Sequence, residues 1–90
     1  MTDEPWRLVV AGPAARNLEH LPAKYATAVI KALGTIAANP QRLGKPLRFE
    51  LTGHWAARRG PYRIIYTIDD TTRTVTVLAI AHRADGYRST

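Results

Sequence analysis

The apolar positions of this chain change period along its length. From Trp6 to Ala11 they form a short β-prone run (Leu8, Val9, Val10) closed by Gly12-Pro13, which predicts a strand. Pro13 suits a first helical position, and Ala14, Leu18 and Leu21 recur at helical spacing, predicting a short helix. Pro22 restarts the chain as a second helix. There Tyr25, Val29, Ala32, Leu33 and Ile36 form one stripe, with Lys24, Lys31 and Thr35 elsewhere on the surface. Asn39-Pro40 ends it, because a residue before proline avoids helical geometry. Gln41 to Pro46 is a polar loop. Leu47, Phe49 and Leu51 alternate with Arg48 and Glu50 in the pattern of a half-buried strand, broken by Thr52-Gly53. Trp55 to Arg59 is a weaker strand, turned by Gly60-Pro61. Tyr62, Ile64, Tyr66 and Ile68 alternate with Arg63, Ile65 and Thr67, the strongest strand pattern in the chain. Asp69-Asp70-Thr71-Thr72 makes a hairpin turn. In the last strand Val75, Val77, Ala79 and Ala81 alternate with Thr76, Leu78, Ile80 and His82, and both faces are largely apolar, so a central position is expected.

The helical hairpin has an apolar face and nothing local to cover it but a sheet. The economical arrangement is α+β: a small, twisted, antiparallel-dominated sheet with an N-terminal helical hairpin packed on one face, in the order β-α-α-β-β-β. Ninety residues allow one domain, 1–90. Little chain remains to cover the other face of the sheet, which is therefore expected to bind something.

Charge says what. Thirteen Lys and Arg stand against seven Asp and Glu, a formal net charge of +6, which points to a polyanion or an acidic partner. Ten of the thirteen cations are arginine, whose planar fork suits phosphate oxygens, and nine lie between Arg42 and Arg88. The last two strands form an antiparallel hairpin. It brings the start of one, with Arg58, Arg59 and Arg63 nearby, beside the end of the other, with His82 and Arg83. Cations distant in sequence thus converge at one end of the sheet. No apolar run is long enough to span a bilayer, and Met1 to Pro5, with Asp3 and Glu4, does not resemble a secretion signal. The chain has no cysteine, which removes disulfides and the commonest zinc ligand sets and points to a reducing cytoplasm.

Candidate chemistry is narrow. His20, His54 and His82 have no metal-like spacing, so neither metal nor other cofactor is expected; His20 sits where it would bond free carbonyls at a helix end. Asp69 and Asp70 belong to a turn, Ser89 is the only serine and lies near the last residue, and Gly44-Lys45 lacks the glycine-rich lead-in of a phosphate loop. Catalysis here would rest on arginine, lysine, histidine and tyrosine. RNA cleavage suits such a set, because the 2′-hydroxyl supplies the nucleophile and the protein need only orient it, stabilise the added negative charge and help move protons. Arg63 interrupts a strand of isoleucine and tyrosine; it is either a phosphate clamp or a solvated residue paired with Glu50. Tyr87 either folds over the same cleft or anchors a tail by packing. His82 is a candidate proton carrier or base-stacking group. Lys45, Arg48, Arg58 and Arg59 would hold the polyanion.

Three stretches carry a family resemblance: Leu43-Gly44-Lys45-Pro46-Leu47-Arg48, Arg58-Arg59-Gly60-Pro61-Tyr62-Arg63-Ile64-Ile65-Tyr66 and His82-Arg83-Ala84-Asp85-Gly86-Tyr87-Arg88. With the helix pair, their order and spacing resemble the RelE/ParE toxin superfamily, and within it the RelE branch, over nearly the whole chain. The resemblance implies a RelE-like fold and a metal-independent endoribonuclease toxin that cuts mRNA in the ribosomal A site, leaving a 2′,3′-cyclic phosphate. It implies a cognate antitoxin, the ribosome and mRNA as partners, no membrane, and operator DNA as a further candidate reached through the antitoxin complex. Residue by residue, Arg63 matches the strand arginine on the scissile phosphate. Arg83 matches the arginine that stabilises the transition state or leaving group. Tyr87 matches the tyrosine that stacks on the mRNA base or assists deprotonation. Arg48, Arg58 and Arg59 fall near the family's RNA-binding cations. Two features depart from the pattern. The Arg83–Tyr87 spacing is tight, and arginines stand on the strand where better-known members carry a lysine pair. Arginine is a poor general base, which leaves His82 as the substitute to consider. Two rival readings remain: a ParE-like inhibitor of DNA gyrase, and a non-catalytic basic module that binds nucleic acid by charge.

Overall fold

Apolar faces that cannot be buried locally decide this architecture. The computed structural model describes residues 6–82. After a first strand β1 (Arg7–Val10), helix α1 (Gly12–Glu19) begins with Pro13 in its first turn, where a missing N–H costs nothing. It ends at His20, whose Nδ1–H donates to the Arg16 carbonyl at 2.7 Å, the helix-end bond expected of this residue. Helix α2 (Ala23–Ala38) buries Val29, Ala32, Leu33 and Ile36, the stripe read from the periodicity. Pro40 then opens a single helical turn, α3 (Pro40–Leu43). Strand β2 is only Lys45–Pro46, a 3-10 turn covers Phe49–Leu51, and the long strands follow: β3 (His54–Arg59), β4 (Tyr62–Asp69) and β5 (Thr74–His82).

The five strands form one sheet in the order β1-β5-β4-β3-β2. All neighbours are antiparallel except β1 and β5, whose parallel pairing runs from Arg7↔Thr74 to Val10↔Val77. The last strand is central, as expected. Asp69 closes the β4–β5 turn by accepting the N–H groups of Thr71 and Thr72 through Oδ1 (2.9 and 3.2 Å). On one face Ala57, Ile64, Tyr66, Val75, Val77 and Ile80 join Ala14 and the α2 stripe in a single core. Beyond Val10 the outer edge of β5 loses its partner strand. There α1 takes over: Asn17 Oδ1 accepts the Ile80 N–H at 3.0 Å, so a backbone donor that would otherwise be orphaned is satisfied. Among the described residues no helix is long and apolar enough to cross a membrane.

Three local expectations are corrected. The Gln41–Pro46 loop contains α3 and β2, because Pro40 can start a helical turn and Lys45–Pro46 finds a partner in β3. The strand expected over Leu47–Leu51 does not form. Phe49 adopts φ 60°, which takes the chain out of extended geometry and leaves its ring 84 % exposed. In β5 the strict alternation also fails. Ile65 pairs with Ala79 but Tyr66 pairs with Val77, so Leu78 is an extra residue in a bulge. The bulge flips the faces beyond it: Ile80, not Ala79, continues the buried row of Val75 and Val77.

Candidate nucleic-acid interface

Register assigns the cations to faces. In β4 the positions Ile64 and Tyr66 point at the helices, so Arg63 and Ile65 point away from them. Arg63 lies between Arg58 on β3 and Ala81 on β5. Ala56, two positions before Arg58, faces the same way and lies between Ile65 and Lys45. Lys45, Arg58 and Arg63 thus converge on a cleft of ≈ 450 Å³ on the face away from the helices, walled by Leu43, Leu47, Ala56 and Ala57. Among the described residues no carboxylate lines it. The small residues matter as much as the cations. Alanine at 56 and 81 leaves space beside Lys45 and Arg63 that a larger side chain would fill. Arg58 directly opposite Arg63 is a like-charge cross-strand pair, a placement that is unfavourable taken by itself. An anion bound between the two arginines would offset that repulsion, and the planar guanidinium fork suits phosphate oxygens.

A buried phenol fixes the chain just before Lys45. Tyr66 is fully buried, and its hydroxyl donates to the Pro40 carbonyl at 2.8 Å while accepting the Gly44 N–H. Burial pushes the Tyr66 phenol above its ordinary value, and the Gly44 bond offsets this only in part. Gly44 must be glycine for a steric reason: a Cβ there would meet the Tyr66 hydroxyl and come within 2.9 Å of the Ala56 carbonyl. Trp55 stacks beside Tyr66 with ring centroids 6.4 Å apart. One buried phenol thus ties α3, the start of β2 and the middle of the sheet together. The Gly44–Tyr66 relation was invisible in the sequence, because twenty-two positions separate two residues whose importance is mutual contact.

The remaining sequence candidates are dispersed. Arg48 is exposed and precedes the 3-10 turn at the edge of the sheet. Arg59 pairs in register with Tyr62, on the helix side, and its guanidinium donates to the Arg58 carbonyl at 3.2 Å. The bulge places His82 on the helix side too. It meets Tyr62 edge-on at 5.3 Å, and Tyr62 in turn packs on Tyr25 of α2 at 5.3 Å. His82 therefore belongs to an aromatic cluster on the face opposite Arg63. Arg83 and Tyr87 lie outside the described residues. Among the described residues no three His, Cys, Asp or Glu gather in a group suited to a metal ion.

Comparison with known proteins agrees with this architecture. Residues 8–87 match the family described as the ParE toxin of the type II toxin–antitoxin system parDE. Toxin RelE of Mycobacterium tuberculosis (strain H37Rv) is 45% identical over 87 residues, covering 96% of this chain and 90% of the relative. Toxin RelG of the same organism is 46% identical over 85 residues, covering 93% and 98%. A chain in the crystal structure of the RelBE2 toxin–antitoxin complex of M. tuberculosis superposes with TM-score 0.81 at 45% identity, covering 90% of this chain and 94% of that one. The isolated RelE toxin of E. coli shares the fold alone, with TM-score 0.75 at 18% identity, covering 86% and 83%. A match across nearly the whole chain, relatives of similar length and a shared sheet and helix arrangement lead to one assignment: the chain belongs to the RelE/ParE superfamily of toxins.

Proposed function

We propose that this toxin is a ribosome-dependent endoribonuclease that cuts mRNA in the ribosomal A site and acts in the cytoplasm. The observation that supports it best is the convergence of Lys45, Arg58 and Arg63 on one cleft. In this reading the substrate's 2′-oxygen attacks the adjacent phosphorus. A 2′-O–P bond forms, the bond to the 5′-oxygen of the next nucleotide breaks, and the product carries a 2′,3′-cyclic phosphate. The 2′-hydroxyl proton leaves to a base and a proton is delivered to the departing 5′-oxygen. Arg63 grips the scissile phosphate, with Arg58 and Lys45 stabilising the charge that grows on its oxygens. Arg83 serves the leaving group, and Tyr87 stacks on the base or assists deprotonation. Arg48 and Arg59 contribute longer-range attraction to the strand.

The partner is a cognate antitoxin, a reading supported by the relative solved as a toxin–antitoxin complex. An acidic segment folding over the cleft would neutralise the same cations that bind phosphate. Operator DNA would be met through that complex. The match to a family described as ParE favours one other reading, a binder that inhibits DNA gyrase and performs no chemistry. Primer extension on translated mRNA separates them. Cuts that require ribosomes and vanish with Arg63→Ala are expected. Intact mRNA together with impaired supercoiling would establish the gyrase reading instead.

A further inference from the structure

The most exposed large apolar side chain described is Phe49, at 84 %. Its backbone has φ 60°, a region that bulky residues rarely enter and that costs about 1–3 kcal/mol when they do. The conformation is held from outside the ring: the Phe49 carbonyl accepts both the Thr52 N–H at 3.0 Å and the Thr52 hydroxyl at 2.7 Å, and the Arg48 carbonyl accepts the Leu51 N–H at 3.1 Å. A strained residue that buries almost nothing contributes little to the fold. Its neighbours indicate its use. Leu47, two residues earlier and at most about 7 Å away along the chain, forms a wall of the cationic cleft. Arg48, between them, is exposed.

We propose that Phe49 is a stacking platform for a base of the bound RNA strand, one or more nucleotides from the phosphate held by Arg58 and Arg63. This rests on the reading that the cleft binds RNA. A nucleobase fits the surroundings better than a protein segment does. Among the described residues the exposed side chains next to Phe49 in the chain are Arg48, Glu50 and Thr52, a polar setting unlike the apolar centre of a protein hot spot. A single π-face beside cations on one strand's path is the arrangement that holds single-stranded nucleic acid.

The test uses the full chain on ribosomes programmed with an mRNA lacking 2′-hydroxyls around the A-site codon, which binds without being cut, and carrying 2-aminopurine at successive positions. The wild-type protein quenches the fluorophore at one position. Phe49→Gly abolishes that quench and weakens binding about 5- to 150-fold, whereas Phe49→Trp retains both. The melting temperature of Phe49→Gly is unchanged or higher, because glycine enters positive φ without strain. A lowered melting temperature, or a quench that survives Phe49→Gly, overturns the assignment. So does weakened binding of the co-expressed antitoxin with RNA binding intact, which would give the ring to a protein partner. If Arg63→Ala weakens binding and Phe49→Gly does not, only the platform falls. If the wild-type protein does not bind programmed ribosomes, the nuclease reading falls and the platform with it.

Discussion

Strand β4 presents two surfaces made by one alternation. Toward the helices it sends Tyr62, Ile64, Tyr66 and Ile68, of which Ile64 and Tyr66 are fully buried. Away from them it sends Arg63, Ile65 and Thr67, all half-buried. The first surface is stabilised by dispersion, area and one satisfied phenol. The second places one arginine directly opposite another across the β3–β4 register, a pair that is unfavourable taken by itself. The contrast separates stability from function by face: substitutions on one side of β4 should unfold the protein, and those on the other should disarm it.

The largest effect expected is on the helix side. Tyr66→Ala removes a buried ring and the tie to Pro40 and Gly44, and should cost about 3–5 kcal/mol in denaturant unfolding. A domain of this size has little more than that to lose, so Tyr66→Ala tests whether that tie is central. Next comes Arg63→Ala. It should lower ribosome-programmed cleavage about 10²- to 10³-fold, by analogy with the loss of a transition-state donor, while the melting temperature moves little. A large fall in melting temperature would erase the distinction between the two faces.

Smaller effects sharpen it. Tyr66→Phe keeps the ring but leaves the Pro40 carbonyl without this donor, and should cost about 1–3 kcal/mol at neutral pH. Because the folded protein holds the Tyr66 phenol above its usual value, this group's contribution is complete below about pH 10 and is lost as pH rises through the folded value. The stability gap between wild type and Tyr66→Phe should therefore narrow in alkaline solution; a gap that stays constant would argue against the buried, protonated phenol. Smallest is Arg58→Ala. Removing one of two facing like charges should leave stability unchanged or raise it by a few tenths of a kcal/mol at low salt, the gain fading as salt is added, even as RNA binding weakens. A clear loss of stability would mean that Arg58 supports the sheet by packing.

The legible parts of this fold are those where period alone carries the information. The α2 stripe at Val29, Ala32, Leu33 and Ile36, the prolines that punctuate the helices and the Asp69 turn all read correctly, because helix spacing and turn chemistry are local. So did the turning of Arg63 away from the core, since a charged position among alternating Ile and Tyr has one cheap direction. Two errors share a cause. The bulge at Leu78 carries no local signal, as apolar residues occupy both faces of β5, and it moved His82 from the expected cleft to the Tyr62–Tyr25 cluster. Phe49 sits in a perfect strand pattern, yet its short segment has too little β-partner to pair with: β2 stops at Pro46, and the chain turns instead.

Amino-acid order alone was enough to specify the helical hairpin and the strand pairings next in sequence, because each depends on neighbours within about one turn or one hairpin; the excess of positive charge and the family likeness follow from composition and motif order without any fold. Folding decided which cations meet. Arg58 and Arg63 face each other through the β3–β4 register, and Lys45 joins them only because a short strand adds to the far edge of the sheet and the Tyr66 hydroxyl holds Gly44 beneath it. The Tyr66 contacts link residues more than twenty positions apart, and their geometry exists only once the core has closed.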